Sequence, residues 1–398
     1  MYNKIIHIAD VHIRNYIRHN EYRAVFEDLF KHISTIADEK TLIYLGGDIV
    51  HSKTDMTPEL IDLTSHFIKG CADLATTVLI LGNHDVNLKN THRLDALSPI
   101  VKTLNHPNLH YLKDTQVYEL DNIIFSIYSV LGDPKKWIPS SKIKSDKIKI
   151  CLHHGAVLGS KTDIGYAVNN EFVNTDLFSG FDLTLLGDIH ANQYLDTQKR
   201  IHYCGSLIQQ DHGEGLIKGF TIWNLDDFTS EFIQVKNNIG YTTLYCKDDK
   251  IETDKEYLNH WPPNIRLRLK HDNCSKEFLR DVISKLKSKY DVIEVSTPKI
   301  NSNNENNAKL SSLDNVRDVE YQNRLISEYI DDNKITNVDP DYIRHINRII
   351  NSELNSNTKL LRNVSWNPKQ LEFSNMFSYG ANNKINFEPL TGIQGIFS

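Results

Sequence analysis

The chain has 398 residues, of which 40% are hydrophobic and 24% charged, and 45 Lys and Arg against 51 Asp and Glu give a net charge of −6. This composition is typical of a globular protein with two to three domains and excludes collagens, coiled-coil rods and wholly disordered chains. The negative charge excludes bulk attraction to polyanions, so contact with nucleic acid requires local basic patches. No apolar run approaches the roughly 18 residues that cross a bilayer. Without a signal peptide, and with five widely spaced cysteines, the sequence predicts an intracellular protein, cytoplasmic or nuclear.

The first half of the chain repeats a pattern in which a short β-branched run ends in a small residue followed by Asp, Asn or His. These runs are predicted to be buried strands, and they span residues 4–10, 42–48, 78–85, 148–155 and 183–190. Helical periodicity occurs between them at 21–38 and 58–71. The alternation predicts an α/β sandwich whose functional site gathers the carboxyl ends of the strands.

From about residue 216 the pattern changes, and residues 216–300 are predicted to form a small α+β second domain. Its predicted strands are 219–225, 230–236 and 241–246, and a β-α-β unit is predicted at 265–270, 276–289 and 292–295. The polar segment 301–307 is predicted to be a disordered linker. Two helices, at 318–330 and 339–354, and a β-hairpin formed by 370–377 and 383–387 are predicted to follow it.

Polar side chains with metal-binding chemistry follow each of the five strand-like runs. They are Asp10 and His12, then Asp48, then Asn83, His84 and Asp85, then His153 and His154, and finally Asp188 and His190. Side chains two residues apart on an extended chain point the same way, and one carboxylate such as Asp48 can bridge two cations. Mixed nitrogen and oxygen ligands suit Mn²⁺, Fe or Zn²⁺. Two such ions roughly 3.5–4 Å apart can hold both the attacking and the leaving oxygen of a phosphoryl transfer.

The ordered motifs D-x-H, G-D, G-N-H-D, H and G-x-x-H resemble the signature of calcineurin-like metallophosphoesterases. More narrowly, GGDIVHSK at 46–53, LHHGAV at 152–157 and GDIHANQ at 187–193 followed by CGS at 204–206 resemble SbcD-type nucleases. Those proteins are the nuclease subunits of a double-strand-break repair complex that contains an SbcC-type ABC ATPase. The resemblance covers residues 1–215 and implies a β-sandwich flanked by helices.

The resemblance implies two divalent metal ions, with Mn²⁺ expected and Fe or Zn²⁺ as alternatives. One ion would be held by Asp10, His12, Asp48 and His190, and the other by Asp48, Asn83 and His153. His153 is preferred to His154 because the family has histidine, then glutamine or a similar residue, then glycine. The family usually has G-H-x-H where this chain has Asp188, a carboxylate that can still ligate the same ion.

The resemblance also implies phosphodiester hydrolysis by a hydroxide that the two metal ions activate. His84 resembles the family's catalytic histidine, which protonates or hydrogen-bonds the leaving oxygen. Asp85 is expected to orient His84 or to cap a turn, and His51 is expected near the scissile phosphate.

DNA is the expected substrate, since two basic segments could contact a sugar–phosphate backbone. One segment has six lysines within 135–149, and the other alternates Arg266, Arg268 and Lys270 with apolar residues. The alternative interpretation of both segments is a solvated surface. The resemblance makes 216–300 a DNA-capping domain, and a homodimer without membrane contact is expected.

Residues 301–357 resemble in position the element that docks on the ATPase. Residues 358–398 resemble the start of an SbcC-type ATPase domain, and the chain stops before its phosphate-binding loop, so no ATP site is expected. The chain is therefore predicted to be the front of a nuclease–ATPase fusion, or else a free-standing nuclease whose tail pairs with an ATPase sheet.

The resulting hypothesis is a metal-dependent DNA exonuclease or endonuclease acting in break repair or recombination with an SbcC-type ATPase. One alternative is a phosphatase or small-molecule phosphodiesterase on the same dinuclear site. The other is a catalytically weakened assembly subunit, which only Asp188 suggests.

Overall fold

The computed structural model describes residues 1–168, 173–299, 339–357, 369–374 and 380–386, together with 319, 322–323, 326–327 and 330. The chain divides into two compact units, Met1–Asn301 and Ser302–Ser398. Among the described residues, no helix is both long and apolar enough to pass through a membrane.

Twelve strands of the first unit build two six-stranded sheets. They are β1 (Lys4–Ile8), β2 (Thr41–Leu45), β3 (Thr76–Leu79), β4 (Leu109–Tyr111), β5 (Gln116–Leu120), β6 (Ile123–Tyr128), β7 (Ile148–His154), β8 (Leu183–Gly187), β9 (Gln193–Tyr194), β10 (Ile201–Tyr203), β11 (Gly219–Asn224) and β12 (Ser230–Gln234). The spatial orders are β12-β11-β1-β2-β3-β4 and β5-β6-β7-β8-β10-β9. Ile5 and Tyr44 of the first sheet share one buried core with Phe125 and Leu152 of the second, so the sheets pack face to face. This arrangement confirms the predicted α/β sandwich.

Helices cover the outer face of the first sheet. They are α1 (His19–Ile36), α2 (Pro58–Leu74) and α3 (Ser98–Leu104). The apolar residues of α1 recur every three or four positions, as Tyr22, Phe26, Leu29 and Ile33, and all are buried in that outer core. Short 3-10 helices lie at Pro134–Lys136, Ser140–Lys142 and Thr175–Phe178.

Strand direction brings the polar strand ends together. β1, β2 and β3 are neighbouring parallel strands, and β6, β7 and β8 form a second parallel set. Because parallel strands end at the same edge of a sheet, the residues that follow β1, β2, β3, β7 and β8 meet at one edge of the sandwich. The predicted strands at these five positions are confirmed.

The boundary predicted at residue 216 is too early. β11 pairs antiparallel with β1, and β12 pairs with β11, so both strands complete the first sheet of the sandwich. Local sequence pattern identified these strands but could not assign them to a sheet, because pairing with β1 joins residues more than 200 positions apart.

A four-stranded sheet follows within the first unit. Its elements are β13 (Ile239–Lys247), β14 (Lys250–Ile251), α4 (Lys255–Asn259), β15 (Asn264–Asp272), α5 (Lys276–Lys289) and β16 (Asp291–Ser296). The strand order is β14-β13-β15-β16, and β15 pairs in parallel with β16 across α5, which confirms the predicted β-α-β unit. Its core contains Leu244, Leu267, Leu269 and Val282.

The second unit contains α6 (Pro340–Asn357) and an antiparallel pair of β17 (Gln370–Phe373) and β18 (Asn383–Asn386). The helix predicted at 339–354 and the hairpin are confirmed. The six described residues within the helix predicted at 318–330 are helical. The predicted linker 301–307 and the chain end from 387 lie outside the described residues.

Two buried histidines lie side by side in the first unit. The rings of His7 and His202 are 5.8 Å apart, and Tyr44 and Tyr194 pack against them. Burial lowers the pKa of His7 well below its ordinary value, with His202 adding to the effect. Burial lowers the pKa of His202 to about 3. Both imidazoles are therefore neutral in the folded protein at neutral and mildly acidic pH.

The free energy of unfolding is expected to fall as the pH drops below about 6.5. The unfolded chain binds protons at its histidines near that pH, whereas His202 does so in the folded protein only near pH 3, so the stabilisation present above pH 6.5 is lost on acidification. Urea unfolding of wild type and of a His202→Phe variant between about pH 7.5 and 5 measures this effect. The wild type should lose more stability than the variant, and equal losses would contradict the assignment.

Candidate metal centre

Four of the predicted ligands have a backbone conformation that residues other than glycine rarely adopt. Positive φ angles occur at Asp10 (53°), His12 (50°), Asp48 (52°) and Asp188 (99°). Such conformations cost of order 1–3 kcal/mol each and persist where the surrounding structure fixes them. They turn the chain just beyond β1, β2 and β8, at the edge where the strand ends meet.

One group of potential ligands contains Asp10, His12 and His190. The Nε2 atoms of His12 and His190 are 3.0 Å apart, and ligand atoms of all three residues lie within 4.8 Å of one another. Both carboxylate oxygens of Asp10 accept the backbone N–H of Asp188, at 3.0 and 3.2 Å. The structure therefore brings the first predicted ligand set together.

A second group lies on the other side of Asp48. His154 Nε2 is 3.0 Å from Asn83 Oδ1, 3.4 Å from Asp48 Oδ1 and 3.9 Å from Asp188 Oδ1. The Nδ1 of His154 is 2.7 Å from the carbonyl oxygen of Gly46 and can donate to it. When Nδ1 carries the proton and donates to this carbonyl, the unprotonated Nε2 faces the cluster.

The carboxylate of Asp48 lies between the two groups. Its Oδ1 faces His154, and its Oδ2 is 3.4 Å from His12 Nε2. The backbone N–H of His84 donates to Oδ1 at 2.8 Å and fixes the carboxylate. The backbone of Gly82 lies so close to Asp48 that a Cβ at position 82 would be 2.1 Å from Asp48 Oδ1. This close approach explains the glycine of the G-N-H-D motif. Asp48 can therefore share its two oxygens between two cations.

Comparison with known proteins identifies the fold around this cluster. Residues 3–192 match the family model of the calcineurin-like phosphoesterases. This segment is similar to the calcineurin-like phosphoesterases. It contains all the residues of the two groups, and the family uses pairs of divalent metal ions for the hydrolysis of phosphoesters. The expected fold class is confirmed, and the match supports the expected superfamily.

The chain is also 36% identical over 419 aligned positions to an uncharacterized protein of Acanthamoeba polyphaga mimivirus. The alignment covers 99% of this chain and 30% of the viral protein. The chain therefore spans less than a third of the length of that relative.

The structure places His154, and not the preferred His153, among the candidate ligands. Consecutive residues of a strand face opposite sides, and the ring of His153 lies 4.9 Å from that of Trp137, while its Nδ1 is 2.8 Å from the carbonyl oxygen of Tyr128. His154 occupies the cluster instead. Motif order alone could not separate two adjacent histidines.

The position of Asp85 agrees with the second of its two predicted roles, the capping of a turn. Its carboxylate is fully buried and accepts the backbone N–H groups of Val50 at 3.0 Å and Gly82 at 2.9 Å. It therefore joins the loops after β2 and β3 and does not contact the His84 ring. Burial, reinforced by the nearby Asp48, raises the pKa of Asp85 to about 7.

His84 and His51 lie beside the first ligand group. The His84 ring is 4.7 Å from that of His12, and its Nδ1 is 2.7 Å from the carbonyl oxygen of His51. Burial, with the positive charge of Arg14 next in weight, lowers the pKa of His51 to about 4. His51 is therefore neutral at pH 7 and is a poor proton donor.

The electrostatics of the cluster fit bound cations. Burial raises the pKa of Asp10 to about 7 and also raises that of Asp188. Burial alone would lower the pKa of His154, but Asp48 and Asp10 hold it well above its ordinary value. The buried carboxylates of Asp10 and Asp48 and the partly buried one of Asp188 are therefore neutralised in part by histidines, and divalent ions would supply the compensating charge directly. Carboxylates, imidazoles and one amide are a donor set that suits Mn²⁺, Fe or Zn²⁺.

Glu214 contacts a candidate ligand and was not predicted from the sequence. Its Oε1 is 2.5 Å from His190 Nδ1, which directs Nε2 of that ring into the cluster. Its Oε2 accepts from Ser206 Oγ and Lys218 Nζ, both at 3.0 Å. Burial would raise the pKa of Glu214, but His190 and Lys218 lower it to about 2. Glu214 lies 24 positions after His190 and in no recognised motif.

The variant Glu214→Gln is expected to weaken Mn²⁺ binding and hydrolysis by roughly 10- to 100-fold, the usual cost of losing a carboxylate that orients a histidine ligand. Calorimetric titration of the protein with Mn²⁺ measures the binding. Glu231→Gln, at an exposed position of β12, is the matched control. Affinity equal to that of the control would remove Glu214 from the centre.

The cluster opens into a cleft of about 220 Å³. An adjoining cavity of about 390 Å³ continues past residues 162–166, and Asp188, His190, Asp211 and Glu214 line both. Together the two cavities form a groove that begins at the candidate ligands.

Some cations of the two predicted basic segments form ion pairs within the protein. Arg266 forms an ion pair with Glu21 at 2.9 Å and packs over the ring of Tyr241. Lys147 forms an ion pair with Glu119 at 2.6 Å. Arg266 therefore joins β15 to α1, and fewer of these cations are available to a ligand than the sequence suggested.

Proposed function

We propose that this protein is a metal-dependent DNA nuclease that hydrolyses phosphodiesters in double-strand-break repair or recombination. The observation that carries the proposal is the position of Asp48, with one carboxylate oxygen facing each group of candidate ligands. Phosphoester hydrolysis is the reaction class of the calcineurin-like phosphoesterases, and a paired metal site suits in-line displacement at phosphorus.

Asp10, His12, Asp48 and His190 would hold one ion, and Asp48, Asn83 and His154 the other, with Asp188 beside them. Bound divalent ions supply Lewis acidity toward the phosphoryl oxygens and lower the pKa of water. His84 is the proposed proton donor to the leaving oxygen. Donation from its Nδ1 to the carbonyl oxygen of His51 holds the ring and leaves Nε2 for the cleft.

Support for DNA as the substrate comes from the SbcD-like motifs and from the groove that extends the cleft past residues 162–166. A groove admits a polymer, whereas a small phosphomonoester needs only the cleft. Arg268 and Lys270 of β15 remain candidate backbone contacts.

We propose Mn²⁺ as the metal, a homodimeric assembly and an SbcC-type ATPase as the partner. The exposed Tyr342, Ile349 and Ile350 on α6, with 61%, 40% and 49% of their surfaces accessible, support docking by an apolar helix face.

The test is incubation of the purified chain with Mn²⁺ and linear DNA beside an Asp48→Ala variant. DNA should be degraded by the wild type and remain intact with the variant. Hydrolysis of p-nitrophenyl phosphate without DNA cleavage would replace the proposal with a phosphatase. No hydrolysis of either substrate, even with the ATPase partner added, would indicate an assembly subunit.

A further inference from the structure

An arginine that no motif includes lies in the cleft beside the candidate ligands. Arg14 lines the same cavity as His12, Asp48, His84 and His190. We propose that Arg14 is a further catalytic residue that binds a non-bridging oxygen of the phosphodiester, and that His51 positions its guanidinium. This inference rests on the proposed phosphodiester hydrolysis.

The backbone that carries Arg14 is fixed against the loop that carries His51. Ile13 N–H donates to the carbonyl oxygen of Ile49 at 2.9 Å, and His51 N–H donates to that of Ile13 at 3.0 Å. Ile13 and Val50 form a parallel bridge. Arg14 and His51 therefore project from neighbouring extended segments, and little main-chain entropy remains to be lost when a ligand binds.

The guanidinium of Arg14 lacks an acidic partner of the kind that some other arginines have. Arg18 pairs with Glu21, and Arg23 pairs with Asp62. Within the part of the chain that the structure describes, no carboxylate oxygen lies within 4.0 Å of Arg14, and its buried Nε has no hydrogen-bond partner. A cation held in a cleft without an acidic partner is complementary to an anion, and the planar fork of arginine matches phosphoryl oxygens.

The contact with His51 assigns that residue a supporting role. Arg14 Nη1 lies 3.3 Å from His51 Nε2 and can only donate to it. The His51 ring nitrogen that faces Arg14 is therefore an acceptor and is occupied. His51 consequently acts through Arg14, which replaces the expectation that His51 itself contacts the scissile phosphate.

Steady-state kinetics of the Mn²⁺-loaded protein on bis(p-nitrophenyl) phosphate and on linear DNA tests the role of Arg14. In Arg14→Ala, kcat/KM should fall by about 10²- to 10³-fold, the effect of removing one donor to a developing anion. Arg14→Lys should recover part of the loss, since it keeps the charge without the fork. Arg23→Ala, on the exposed face of α1, is the matched control and should match the wild type.

Two measurements separate substrate binding from a structural effect. The Mn²⁺ content of Arg14→Ala should equal that of the wild type. Its Kd for inorganic phosphate, measured by calorimetry, should rise about tenfold or more, as expected for a lost hydrogen bond to a charged group. The double variant Arg14→Ala/His51→Ala should be no slower than Arg14→Ala alone, because a positioning residue has no effect without its partner.

The inference is overturned if Arg14→Ala keeps the wild-type Kd for phosphate, if it loses Mn²⁺, or if the two substitutions multiply in their effects on kcat/KM. A wild type that hydrolyses neither diester refutes the proposed function instead. In that case the phosphate affinities of wild type and Arg14→Ala still decide whether Arg14 binds the anion.

Discussion

Replacing Asp48 by asparagine is expected to reduce phosphodiester hydrolysis by more than the roughly 10- to 100-fold typical of residues that only support a ligand. The substitution keeps the shape of the side chain but removes the negative charge that lies between the two ligand groups. Both candidate ions depend on that charge, so both should bind more weakly. Metal analysis after dialysis against Mn²⁺, together with initial rates, measures the two effects in one preparation.

Thermal unfolding provides the control for folding in this experiment. Ligands that bind only the folded state stabilise it, so Mn²⁺ should raise the Tm of the wild type and have much less effect on Asp48→Asn. Asp95→Asn is the matched variant, since Asp95 is a buried carboxylate outside the cleft that accepts the N–H groups of Leu97 and Ser98 at the start of α3. An Asp48→Asn protein with full Mn²⁺ content and wild-type rates would refute a shared carboxylate.

Alanine substitution of the two adjacent histidines should give opposite results. His154→Ala removes the imidazole that faces Asp48 and Asn83, so the second ion and nearly all hydrolysis should be lost. His153→Ala should keep metal and activity but lower the free energy of unfolding by about 2 kcal/mol or more, because it leaves a cavity beside Trp137 and Tyr128.

Metal content, rate and urea unfolding of the two histidine variants are best measured side by side. Each variant is the control for the other, since the residues are neighbours on β7 and both are buried. Loss of metal in His153→Ala with retention in His154→Ala would restore the assignment made from motif order.

Much of the fold followed from local sequence pattern. The runs that end at Asp10 and Asp48 are apolar for several residues and then become polar. This pattern is typical of a buried strand that ends at a sheet edge. Parallel pairing collects such ends, so the positions of Asp10, His12, Asp48, Asn83 and His190 in one cluster could be predicted.

The remaining features depend on contacts between distant residues. The membership of β11 in the first sheet rests on pairing with β1, and the role of Glu214 rests on its meeting with His190. The choice between His153 and His154 depends on which side of β7 faces the cluster. The role of Asp85 depends on how closely the loops after β2 and β3 approach each other. None of these contacts leaves a periodic or motif signal in the chain.

The shared position of Asp48 is tested most directly by low-temperature electron paramagnetic resonance of the protein loaded with two equivalents of Mn²⁺. A carboxylate that bridges two ions should couple their spins, so the wild type should give the spectrum of an exchange-coupled manganese pair. Asp48→Asn should lose that spectrum. A wild-type spectrum of isolated Mn²⁺ alone, at full occupancy, would contradict the two-ion centre.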